Sequence, residues 1–192
     1  MKKLRLVMCL IISLFILQGC AGVKGNTKTS KINNIQSMKN KVLADLYKLA
    51  PSTREKINSA YGYAVFDNLG VYLFALSTAQ GYGVAHNNRI SKNTYMKMFS
   101  VGFGVGAGVK DFRGVFVFEN KDVFNQFVNK GWSAQGEVDA AAKFDNKGGA
   151  VSLGKEVRPG VLLYQLTVNG LAAQATIQGT KFWKDTELNG SK

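Results

Sequence analysis

At Tyr61 the chain changes period, and that change limits what it can fold into. Before it, Ile32, Ile35, Met38, Val42, Leu43, Leu46 and Leu49 recur at spacings of three and four, one face of an α-helix, with Lys39, Lys41 and Lys48 elsewhere on the cylinder. Pro51 stops that helix, and Ser52-Thr53-Arg54-Glu55 reads as the capping box of a second, short helix running to about Ala60. After it, short runs rich in Val, Phe and Tyr are separated by Gly, Asn and Asp, the texture of a strand-rich body. The runs predict strands over 63–66, 71–76, 81–85, 96–109, 114–118, 138–144, 161–168 and 171–182, the last two flanking Asn169-Gly170, a two-residue hairpin signal. One helix interrupts them: Asn120 caps it, Val123, Phe124, Phe127 and Val128 give it an apolar face, and Gly131 stops it. The expected fold class is α+β, a mostly antiparallel, barrel-like β body with N-terminal helices and one internal helix.

The first residues carry a different signal. Lys2, Lys3 and Arg5 precede a 12-residue apolar run from Leu6 to Leu17, which ends in Leu17-Gln18-Gly19-Cys20. A positive start, an apolar centre and a small residue at the cut are the three zones of an export signal. The run is too short to cross a bilayer, which takes ~20 residues. A cysteine at the cut site supplies a thiol for diacylglycerol, so the expected division is a lipoprotein signal over 1–19, a tether over 20–31 and a single domain over 32–192. The tether assignment rests on the Gly, Lys, Asn, Thr and Ser content of Ala21 to Lys31.

Cleavage leaves 173 residues, enough for one domain with a sizeable core. Of the 25 basic side chains 22 remain, against 12 acidic ones, a net charge of +10. Such a surface suits nucleic acid or anionic lipid. The export signal selects lipid, because an exported protein on a membrane meets phospholipid headgroups and little nucleic acid. With Cys9 removed and Cys20 acylated, the mature domain keeps no thiol for a disulfide, a zinc site or a nucleophile, and its single His86, at a strand's end entering a turn, reads as a surface histidine. No metal or other cofactor is expected. The chain has no Gly-x-Ser-x-Gly elbow, His-Glu-x-x-His pair or phosphate loop, and the expectation is a protein without enzymatic activity. No mature segment is long and apolar enough for a membrane-spanning helix, and the irregular strand lengths and internal helices argue against an outer-membrane barrel.

Gly102, Gly104, Gly106 and Gly108 alternate with Phe103, Val105, Ala107 and Val109, so in one extended strand the four glycines share a bare face. A dinucleotide fingerprint would need a strand, a loop and a helix there, whereas Asp111-Phe112-Arg113-Gly114 reads as a turn into another strand. Four glycines weaken a strand unless something approaches closely. The approach is either internal packing, which the reading favours, or a groove for an acyl chain.

In combination, Tyr63-Ala64-Val65-Phe66 before Gly70, Gly81-Tyr82-Gly83-Val84, the stretch Val101 to Val109 and Gly114-Val115-Phe116-Val117-Phe118-Glu119-Asn120 resemble the SYLF domain, a lipid-binding module of bacterial lipoproteins and eukaryotic membrane-trafficking proteins. The likeness runs from about Leu43 to the C-terminus and continues through Val123 to Lys130 and Gly136-Glu137-Val138-Asp139-Ala140-Ala141-Ala142. The chain departs from the family at Leu73-Phe74-Ala75-Leu76, where a glycine-rich turn is usual, and at Lys92 to Tyr95, where Trp-x-x-Pro is common. The resemblance implies binding of anionic phospholipid through a basic amphipathic segment, here Ile32 to Ala50.

Together these readings give an outer-membrane lipoprotein facing the periplasm, anchored through Cys20 and binding phospholipid. The expected lipid-binding residues are Lys39, Lys41, Lys48, Arg54 and Lys56, with Gly102, Gly104, Gly106 and Gly108 as the groove. Ala21 after the cysteine, rather than Asp, favours the outer membrane by analogy with enterobacterial sorting. The competing class is a structural or assembly factor that contacts other envelope proteins and uses lipid only as its anchor, which would need an exposed apolar patch. The anchor is tested directly: Cys20→Ser should leave the signal uncut and abolish labelling by a clickable fatty acid, and labelling equal to the wild type would refute it.

Overall fold

The computed structural model describes residues 23–73, 76–103, 108–133, 154–167, 170–171 and 179–190. Helix α1 spans Lys28–Leu49 and opens with a capping box in which Thr27 accepts from the Ser30 amide while the Ser30 side chain accepts from the Thr27 amide. It therefore starts four residues before the Ile32 boundary read from periodicity, because the cap and not the first apolar residue sets the start. Ile35, Met38, Val42, Leu43 and Leu46 form its buried stripe. Helix α2 spans Thr53–Ser59 without the expected capping box: Ser52 already has helical angles and its side chain makes no cap bond. Thr53 instead donates its hydroxyl to the Ala50 carbonyl at 2.6 Å, closing the bend after Pro51.

The sheet contains β1 (Gly62–Leu73), β2 (Leu76–Asn87), β3 (Lys92–Phe103), β4 (Gly108–Phe118), β5 (Trp132–Ser133), β6 (Lys155–Arg158), β7 (Val161–Thr167), β8 (Gly170–Leu171) and β9 (Thr180–Lys184). Every pairing is antiparallel, in the order β5-β9-β3-β2-β1-β4-β7-β6, with β8 on β7. The sheet curls into a half-barrel. Helix α3 (Lys121–Lys130) lies between β4 and β5, and a last turn of helix, α4 (Thr186–Asn189), follows β9. The α+β class expected from the sequence is the one observed.

Several strand limits differ from the sequence reading. The runs at 63–66 and 71–73 are one strand, since Asp67, Asn68, Leu69 and Gly70 are paired on both sides, to β2 and to β4. The run 71–76 belongs to two strands, because Leu73 pairs with Leu76 and the chain reverses there. The expected strand 96–109 is also two. β3 pairs with β2 and β4 with β1, so the two run in opposite directions. Thr167 pairs with Gly170, which sets the hairpin one residue earlier than Asn169-Gly170 suggested. The expected strand 138–144, and residues 172–178 of the expected strand 171–182, lie outside the described residues.

Residues alternate between two covered faces. On one, Ala64, Phe66, Met96, Met98, Phe116, Phe118, Leu163 and Phe182 meet Phe124, Phe127 and Val128 of α3 together with Trp132. On the other, Val65, Val84, Val115, Val117 and Leu166 meet the stripe of α1, Ile57 of α2 and Leu188 of α4. Double coverage explains why Tyr63 to Phe66 and Val115 to Phe118 are continuous apolar runs and do not alternate with polar residues. Asn120 accepts from the Asp122 and Val123 amides to start α3, and Gly131 at φ 72° ends it, both as read.

The aromatic face is packed ring against ring. Phe66 meets Phe116, Phe127 and Phe182 edge to face at centroid distances of 5.9, 6.0 and 4.9 Å. Such pairs add roughly 0.5–1.5 kcal/mol each beyond area burial. The Phe66 ring lies over Gly83 on the neighbouring strand, where a Cβ would collide with that ring and with the Val65 carbonyl. Gly83→Ala should therefore cost about 1–3 kcal/mol and lower the melting temperature. An unchanged melting curve would show that the ring has room to move.

A basic surface on the first two helices

Lys41 and Lys48 are seven residues apart and exposed, on the side of α1 turned away from its buried stripe. Lys39 is not with them. It stands four residues from Ile35 and from Leu43, on the side that faces the sheet, and it is half-buried. Burial holds its ammonium below the ordinary lysine range. The sequence reading, which set Lys39 on the outer cylinder with Lys41 and Lys48, is corrected on that point, because a heptad of apolar residues three and four apart leaves little angular room between them. Arg54 and Lys56 are exposed on α2, and the Arg54 guanidinium stacks 4.2 Å from the centroid of the Tyr47 ring.

Ion pairs and hydrogen bonds fix α1 along its length. Lys31 meets Glu187 of α4 at 2.7 Å, and Lys28 donates to the Gly190 carbonyl at 2.5 Å. Their mutual hydrogen bond raises the Lys31 ammonium and lowers the Glu187 carboxyl. Further along, Arg113 of β4 reaches Asp45 at 3.1 Å, and Gln36 donates to the Tyr95 hydroxyl at 3.1 Å. The helix thus crosses the sheet from β3 to β4 with its open side carrying Lys41 and Lys48.

The glycine candidates do not share a strand. Gly102 is in β3 opposite Ser77, and Gly108 is in β4 opposite Tyr72. The two glycines belong to strands of opposite direction, so the single bare face expected of 102–109 does not exist. β4, not a helix, follows Gly108, as a nucleotide fingerprint would not have it. Gly104, Gly106 and Cys20 lie outside the described residues.

His86 is half-buried and not a plain surface residue. Its Nδ1 is 2.7 Å from the Asn93 Oδ1 and its ring packs on Tyr63 at 5.3 Å. Sequence reasoning also missed Arg89, Ile90 and Lys92, exposed at the β2–β3 turn beside α2. The turn tetrad Asn88-Arg89-Ile90-Ser91 signals a reversal, but nothing local tells which helix it meets. Among the residues whose burial is described, the exposed large apolar side chains are Leu49 and Ile90. No helix among them is long and apolar enough to cross a membrane, and no group of three or more His, Cys, Asp or Glu is placed to hold a metal.

No family model matches the chain. It is, however, similar to a named protein. Over 165 residues, 85% of this chain, it is 39% identical to Beta cell expansion factor A of Aeromonas veronii, and the match spans 61% of that protein's length.

Burial also marks the phenols between α1, α2 and the sheet. It pushes the Tyr63 hydroxyl from 10.0 to about 12, with the nearby Tyr47 phenol adding to the shift. Tyr47, Tyr82 and Tyr164 move in the same direction, again chiefly through burial. A phenol whose pKa rises on folding stabilises the fold below its unfolded value, and that stability is lost as pH climbs through the folded one. Unfolding midpoints in urea should therefore drop between about pH 10 and about pH 12. Tyr63→Phe should lessen the drop, and an identical pH profile for the variant would show that Tyr63 is not the titrating group.

Proposed function

We propose that this chain is a SYLF-family lipoprotein of the bacterial envelope, held at the outer membrane by an acylated Cys20 with its domain in the periplasm, and that the domain binds anionic phospholipid without catalysing a reaction. The observation that carries the reading is the exposure of Lys41 and Lys48 on α1 and of Arg54 and Lys56 on α2, in a mature chain of net charge +10. Each cation close to an anionic surface contributes roughly 1 kcal/mol. The diacylglyceryl anchor would by itself give stable membrane residence, and the basic surface would add attraction of the domain to the anionic lipid.

The test uses the chain from Ala21 onward, which contains both apolar cores, and vesicles containing phosphatidylglycerol. Changing Lys41, Lys48, Arg54 and Lys56 together to Gln should weaken binding more than about a hundredfold at low salt, and added salt should weaken the wild type. Lys39→Gln should have a small effect by comparison. Binding of the four-fold variant equal to that of the wild type, or equal wild-type binding to phosphatidylcholine vesicles, would overturn the reading.

A further inference from the structure

Two large apolar side chains exposed among the residues of described burial, Leu49 at 47% and Ile90 at 66%, sit at the two ends of α2. Leu49 is the last residue of α1, and the Thr53-to-Ala50 bond folds the next residues directly into α2. At the other end the β2–β3 turn is tied to the helix: Asn88 donates its side-chain amide to the Ile57 and Ala60 carbonyls at 2.7 and 3.1 Å, and the Arg89 guanidinium donates to the Ser59 carbonyl at 3.2 Å. The turn itself is fixed, since the Asn87 side chain accepts from the Arg89 and Ile90 amides at 2.9 and 3.3 Å. Ile90 is thus presented by a hydrogen-bonded frame. Helix α2 is only about 10 Å long, so Leu49, Ile90 and the cations Lys48, Arg54, Lys56, Arg89 and Lys92 belong to one pole of the molecule, with Glu55 the acidic residue of those segments.

We infer that this pole is the membrane-docking end of the domain, with Leu49 and Ile90 entering the headgroup region of an anionic lipid surface while the five cations meet its phosphates. A single exposed apolar residue needs no explanation. Two of them, bracketed by cations at both ends of one short helix, have the composition of an interfacial binding surface, where apolar insertion and attraction to anionic lipid act together. The inference rests on the lipid-binding reading above and adds the site and depth of contact, which that reading leaves open.

The chain from Ala21 onward has no cysteine, so Ile90→Cys labelled with an environment-sensitive nitrobenzoxadiazole dye reports this position alone, and Lys130→Cys on α3, against the opposite face of the sheet, serves as the control. With phosphatidylglycerol vesicles the dye at 90 should shift to the blue and brighten while the dye at 130 should not. The pair Leu49→Asp and Ile90→Asp, checked for folding by circular dichroism, should bind at least about tenfold more weakly, a loss that persists at salt concentrations that screen the cations. If the wild type binds these vesicles but the dye at 90 stays in water and the Asp pair binds as well as wild type, the docking pole is wrong and the lipid-binding reading stands. If the wild type does not bind at all, both fall.

Discussion

The whole arrangement depends on the central strands β1, β2 and β4 being buried on both faces. Val65, Val84, Val115 and Val117 point one way, Ala64, Phe66, Phe116 and Phe118 the other, and neither set tolerates water. A sheet of this kind folds only if a helix covers each side. α3 supplies one cover from the loop between β4 and β5, while α1 supplies the other from the start of the chain. The consequence for binding is that α1 is committed: its apolar stripe belongs to the core, and what remains for a partner is its polar side and its ends.

That commitment explains which charges are usable. A helix that presses five apolar side chains onto a sheet leaves a limited arc for cations, and Lys39 falls outside the arc while Lys41 and Lys48 fall within it. The cations at the other end of α1, Lys28 and Lys31, are engaged with the C-terminal turn of helix. Of the cations whose exposure is described, Lys41, Lys48, Arg54, Lys56, Arg89 and Lys92 are exposed on the C-terminal half of α1, on α2 and at the β2–β3 turn, while Lys24, Lys121, Lys130, Lys155, Lys181 and Lys184 are exposed elsewhere.

The sequence was most legible where local rules act alone. The stripe of α1, the Asn120 cap and Gly131 stop of α3, and the strands around 81–85 and 161–167 follow from periodicity and capping chemistry. It was least legible where pairing from both sides overrides composition. Asp67 to Gly70 has the residues of a turn and is the middle of β1, and the reversal at Leu73 and Leu76 occurs inside an apolar run with no punctuation. The family resemblance marked that second place, since a glycine-rich turn is usual there. The alternating glycines misled for a related reason: a period of two says that a segment is extended but not that its ends belong to one strand. In the candidate site, Arg54 and Lys56 were visible from their helix, whereas Arg89, Ile90 and Lys92 join them only through bonds spanning about thirty residues of chain.

The length of α1 carries a geometric consequence. Its 22 residues make a rod about 33 Å long, with the proposed anchor on the Thr27 side and the proposed docking pole at Leu49. The seven steps from Cys20 to Thr27 reach at most ~25 Å when fully stretched. A domain resting on its pole while still anchored through Cys20 therefore cannot hold the rod upright. Under the proposed anchoring and docking the rod would incline to less than about 50° from the bilayer plane, and shortening the leash by a few residues would flatten it further, so the leash length would set the attitude of the domain above a membrane.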